Sequence, residues 1–137
     1  MDSFRYAPSQ IINMDESAIY IDSPPGYSYA SKGSKRVKAA TAGAERVRIS
    51  TAWTATASGY KFPIYTIIPR VNVIPELHEL SNLIIKYKTS STFDADTILE
   101  WLNQVILPYK EQLESERLLI ILDRATCHVS TKVINID

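Results

Sequence analysis

The chain has 137 residues, 45% apolar and 22% charged, with equal numbers of basic and acidic side chains. This suits one soluble domain with its own core, and a net charge of zero argues neither for nor against nucleic acid as a partner. No apolar run is long enough to span a bilayer, the start lacks the basic and apolar regions of a signal peptide, and a single cysteine excludes an internal disulfide and fits a reducing compartment.

Residues 1–10 read as a linker remnant. Ile11–Ile21 then reads as a first strand, with Asp15 and Glu16 near its middle on opposite faces. Of the two acids, Asp15 is the candidate, because Glu16 is expected to meet solvent or an ion pair. The Ser-Pro-Pro-Gly run from Ser23 to Gly26 is a turn. From Tyr27 to Ser50 come six basic residues, among them Lys32, Lys35, Arg36 and Lys38, against Glu45 alone. Basic residues mixed with Tyr27 and Tyr29 suit contact with a phosphate backbone; a solvated hairpin is the plainer alternative.

Residues 46–57 alternate, with Val47, Ile49, Thr51, Trp53 and Ala55 on one face and Arg48, Ser50, Ala52 and Thr54 on the other, as a strand does. Ser58-Gly59 is a tight turn, and 60–68 returns as the next strand, with Pro63 marking an edge position or a bulge. The three strands form an antiparallel meander. Pro69 and Pro75 interrupt the next stretch, in which Leu83-Ile84-Ile85 reads as a short strand. Thr92 or Asp94 can cap a helix whose apolar stripe runs through Ile98, Leu102, Val105 and Tyr109. Trp101 belongs to its core side, and Pro108 kinks the helix or opens a second one. Between Phe93 and Glu116 there are six acids against Lys110, so this face is expected to turn away from DNA.

The run Leu118–Leu122 reads as a strand buried on both faces, central in the sheet, and it ends abruptly at Asp123. Open α/β sheets place ligands at the C-terminal ends of their strands. Taken alone, Asp123 reads first as the N-cap of a following helix. The matching arrangement at Asp15 alters that balance. If the two strands are neighbours, their carboxylates repel unless a cation lies between them, and oxygen ligands favour magnesium or manganese. Such a site handles phosphodiesters. Cys127 and His128 form a lone pair with no second ligand cluster, and His78 has no ligand spacing to them, so a structural role is expected. The chain contains no glycine-rich phosphate loop, nucleophile elbow or internal repeat.

The segments N-M-D-E-S, R-V-R-I-S-T-A-W-T-A-T-A-S-G, L-E-W-L-N-Q-V-I-L-P-Y and L-L-I-I-L-D-R-A-T-C-H occur in this order. In that order the chain, from Asn13 to Ser130, resembles the DDE-superfamily endonucleases, and among them the pogo/Tigger and centromere-protein-B-like branch of the mariner transposases. The resemblance implies an α/β, RNase H-like mixed sheet: the three-strand meander, then a helix and a central parallel strand. It implies that Asp15 and Asp123 are catalytic and bind Mg2+ or Mn2+, that DNA is the partner, that the protein is nuclear, and that a homodimer is compatible. His128 matches a family histidine.

The sequence also departs from the pattern. The family's third acid follows a segment with no counterpart here, and Asp137 lies where the next strand is expected to begin. Arg124 stands where the family usually has Asn. Helix-turn-helix domains are absent too, so the chain is expected to be a C-terminally incomplete catalytic core with 11–137 as its domain. The expected function is DNA strand cleavage and transfer by two-metal-ion chemistry, impaired in this chain. The alternative is a non-catalytic, transposase-derived module that binds DNA or protein. A small metal-dependent phosphohydrolase ranks last, because no second acid follows two residues after Asp123.

Overall fold

In a computed structural model, residues 5–21, 29, 31–34 and 47–123 are described. The β-branched and aromatic runs become strands as their alternation predicts. These are β1 (Ile11–Tyr20), β2 (Arg48–Thr56), β3 (Ile64–Pro69), β4 (Leu83–Lys88) and β5 (Leu119–Ile121). They form one mixed sheet in the order β4-β3-β2-β1-β5. β1, β2 and β3 are the antiparallel meander, while β4 runs parallel to β3 and β5 parallel to β1. The fold is therefore mixed α/β.

Between β4 and β5 the chain crosses the sheet as one helical run. It comprises α1 (Ala95–Trp101), a π-helical segment (Leu102–Ile106) and α2 (Leu107–Gln112). Asp94 is the N-cap: its carboxylate accepts from the Thr97 amide at 2.8 Å and from the Thr97 hydroxyl at 2.6 Å. Pro108 opens α2 and does not break the run. It has no N–H to give, and it stands at the start of α2, directly after the wider π turn, where the Leu107 amide reaches back to the Leu102 carbonyl.

The helical run covers one face of the sheet. Ile12 and Met14 of β1, Ala52 of β2, and Tyr65 and Ile67 of β3 are buried against Phe93, Ile98, Trp101, Val105 and Ile106. Each large side chain buried in this way contributes roughly 1.5–3 kcal/mol. On β2 the covered face is the small, polar one: Ser50, Ala52, Thr54 and Thr56. Small residues there leave room for Trp101, fully buried as expected, whose indole N–H donates to Thr54 Oγ1 at 3.2 Å. Trp53, on the opposite face, is half exposed.

The β5 expectation needs correction. Among the described residues β5 is the outermost strand, not a central one, and Leu119 and Ile121 are 38% and 48% exposed. Only alternate residues, Leu118, Ile120 and Leu122, pack on the core. A continuous apolar run cannot reveal which of its two faces is covered; among the described residues the helical run covers only one.

The segment expected to be a linker remnant contributes a 3-10 turn at Pro8–Gln10. Its Ser9 carbonyl accepts from the Tyr109 hydroxyl at 2.9 Å, and Gln10 Nε2 donates to Ser115 Oγ at 2.8 Å.

Candidate metal and nucleic-acid site

Asp15 lies on the sheet face opposite the helical run. Its neighbours Ile12 and Met14 point into the core, so Asn13 and Asp15 project outward, and both are exposed. The Asp15 carboxylate accepts from the Glu16 amide at 2.9 Å. β5 pairs with β1 at a constant offset, Ile11 with Leu119, Ile12 with Ile120 and Asn13 with Ile121. The Asn13 amide ties the two strands, donating to the Ile121 carbonyl at 3.1 Å. Carried two residues further, the same offset sets Asp123 level with Asp15. β5 ends at Ile121 and Asp123 is exposed; continued past the strand, the alternation of Leu118, Ile120 and Leu122 would put Asp123 on the same outer face.

Two carboxylates and an amide side chain make an all-oxygen donor set for a hard cation. A magnesium ion held through one or two carboxylates completes its shell with waters and substrate phosphates. Among the described residues no group of three or more histidine, cysteine or acidic side chains is assembled. The residues present thus fit a two-carboxylate cation site open to a phosphate.

Of the basic candidates, Lys32 is exposed in a turn closed by the Ser34 amide on the Ser31 carbonyl at 3.0 Å, with Gly33 at φ +96°. Lys35, Arg36 and Lys38 lie outside the described residues, as do Cys127, His128 and Asp137. At the foot of this segment the Ile21 amide donates to the Val47 carbonyl at 3.0 Å.

Beside Asp15 the same face opens into a cleft of about 640 Å³, lined among others by Trp53, Lys61, Pro63 and Asn82. A bulge forms it. β2 and β3 pair Ala52 with Tyr65, yet Ala55 bridges Lys61, so three residues (62–64) on the β3 side face two on β2. Pro63, with no amide to donate, lies in the extra stretch. Trp53 is the direct cross-strand partner of Asp15, and its indole N–H is held by Thr51 Oγ1 at 2.9 Å. The sequence singled out neither Trp53 nor Lys61; the signal it did carry was Pro63 inside a strand.

Two ion pairs lie on the other face. Lys88 donates to Asp94 at 2.6 Å and, with the Thr97 bonds, holds that carboxyl well below the usual carboxylate range. Glu100 takes Lys86 and, at 3.1 Å, the Tyr65 hydroxyl. Burial first, and then the Glu100 charge, push the Tyr65 phenol well above its ordinary value. These groups face the helical layer, not the cleft.

No helix of the described residues is long and apolar enough to cross a membrane. Neither a family model nor a solved structure matches the chain. Over 128 residues, 93% of this chain, it is 27% identical to a protein of Mus musculus described as "Pogo transposable element with KRAB domain". The chain spans 21% of that relative's length. The similarity supports a pogo-like, transposase-derived relationship.

Proposed function

We propose that this chain is an RNase H-like catalytic core of the DDE transposase type, a nuclear DNA-binding domain whose Asp15 and Asp123 together hold Mg2+ or Mn2+. The observation that carries this reading is the parallel pairing of β1 with β5, which ends at Asn13 and Ile121, two residues before each aspartate. The element order supports it as well: an antiparallel meander, a fourth strand parallel to β3, a helical crossover, then a strand parallel to the first.

A cation bound there would lower the pKa of an attacking water or 3′-hydroxyl and help neutralise charge on the leaving oxygen. The chain's own residues do the positioning. Asp15, anchored on a long paired strand, and Asp123, at the end of a short one, fix the spacing of the two carboxylates. Asn13 locks the strands together just below them. Lys32, Lys35, Arg36 and Lys38 contact the phosphate backbone, while the acid-rich helical run faces the other way. The family's third acid has no counterpart in these 137 residues, so little or no turnover is expected of this chain.

The test is DNA affinity with and without metal. Mg2+ or Mn2+ should tighten binding to a nicked duplex several-fold in the wild type and not in Asp15→Ala or Asp123→Ala. Binding that depends on the basic segment but ignores metal and both aspartates would overturn this reading in favour of a non-catalytic DNA-binding module. Nicking of supercoiled DNA, run alongside, should be negligible; cleavage lost in Asp123→Ala would mean that another group of this chain replaces the third acid.

A further inference from the structure

We propose that the cleft beside Asp15 is a nucleotide subsite, taking one unpaired nucleotide of a DNA strand with its base against Trp53 and its phosphate at Lys61. The proposal rests on the DNA reading above and adds to it a recognition element that handles bases.

Four observations carry it. The cleft, at about 640 Å³, falls within the range of sites for small organic groups. Trp53 offers a large apolar plane that is 50% exposed yet not free to swing, because Thr51 Oγ1 holds the indole N–H and itself donates to the Ser17 carbonyl at 3.2 Å. A rigid, half-exposed aromatic plane on a strand is the kind of platform on which bases stack, whatever their sequence. Lys61 is exposed, with no carboxylate partner among the described residues, and its bridge to Ala55 puts it on the cleft side of the sheet. Asn82 lines the same space and can meet the polar edge of a base with both donor and acceptor.

The position of the cleft points the same way. Trp53 is level with Asp15 across the β1–β2 ladder, so a base on the indole keeps its own backbone near the carboxylate. A duplex with its bases stacked inside offers no plane to Trp53. The ligand is therefore a strand that is open at this point, through a nick, an end or an extruded base. The Pro63 bulge makes the room, since a regular β2–β3 ladder would continue the sheet surface where the cleft now lies.

The experiment is a titration in EDTA, so that the cation site plays no part. A short oligothymidylate strand and an abasic strand of equal length are followed by anisotropy of a terminal label and by tryptophan emission. The chain has two tryptophans, and Trp101 is fully buried, so quenching reports Trp53. The base-bearing strand should quench and bind more tightly than the abasic one. Trp53→Ala should weaken it about tenfold, Trp53→Phe should restore most of that loss, and Lys61→Gln should lower the salt dependence. Buried Trp101 emission checks that each variant is folded. Equal binding of both strands with unchanged Trp53 emission would overturn the subsite and leave backbone-directed DNA binding standing. No binding of either strand would overturn both. Thymidine 5′-monophosphate saturating the quench more tightly than the strand would overturn the assignment to a DNA strand.

Discussion

Asp94 illustrates how much one residue at a helix start can do. Its carboxylate caps α1 through the Thr97 amide and hydroxyl and meets Lys88 from β4, joining helix to sheet. Asp94→Ala should destabilise the fold by about 1 kcal/mol, chiefly through the lost cap, as read by urea unfolding; the Asp94 side chain is 55% exposed, so solvent screening keeps the part of the Lys88 pair small. Thr66 presents the reverse case: its hydroxyl is buried with no hydrogen-bond partner among the described residues. Thr66→Val keeps the shape and removes that polar group, so a gain of about 1 kcal/mol is expected in the same measurement. At this scale the sequence was informative where chemistry is local. It named Asp94 as one of two caps and Trp101 as core, because capping and helical spacing are short-range. It did not reveal Trp53 and Lys61 as neighbours of Asp15, because a cross-strand register and a one-residue bulge bring them there.

Among the elements, the strands were legible in proportion to their alternation. β1 and β2 appear nearly where periodicity puts them, and Ser58-Gly59 makes the expected turn, with the Gly59 amide on the Thr56 carbonyl at 3.0 Å and φ at +94°. A Cβ at Gly59 would meet nothing within 4 Å, so Gly59→Ala should cost only the strain of that backbone, about 1 kcal/mol by thermal unfolding. β4 was half seen, as three apolar residues; its remaining Lys-Tyr-Lys is a strand because Lys86 and Lys88 find acids on the helical run. The covered face of β2 was beyond reach, since its residues are the less apolar set and only the fit of Trp101 explains them. Trp101→Ala would leave a cavity and an unpaired Thr54 hydroxyl, and a loss of about 3–5 kcal/mol should appear in the denaturant midpoint.

For the whole molecule, two shifted groups among the described residues bracket the pH range of stability. Asp94 titrates lower in the fold than in the open chain, so its contribution is present above about pH 4 and is lost as the pH falls through its folded value. Tyr65 titrates higher in the fold, so its contribution is complete below about pH 10 and is lost as the pH rises through its folded value. A plateau between these limits should appear in the urea midpoint against pH, and Tyr65→Phe should flatten the alkaline side. The sheet itself divides the molecule, with a helical layer on one face and Asp15, Trp53 and the cleft on the other. On that second face Asp15 and Asp123 are proposed to form one cation site, and the catalytic reading depends on it. Its most direct test is Mn2+ binding, by electron paramagnetic resonance, to the wild type, Asp15→Asn, Asp123→Asn and the double variant. A single site weakened at least tenfold by either change, and little further by both, is the predicted result; two variants that each bind Mn2+ as the wild type does would contradict it.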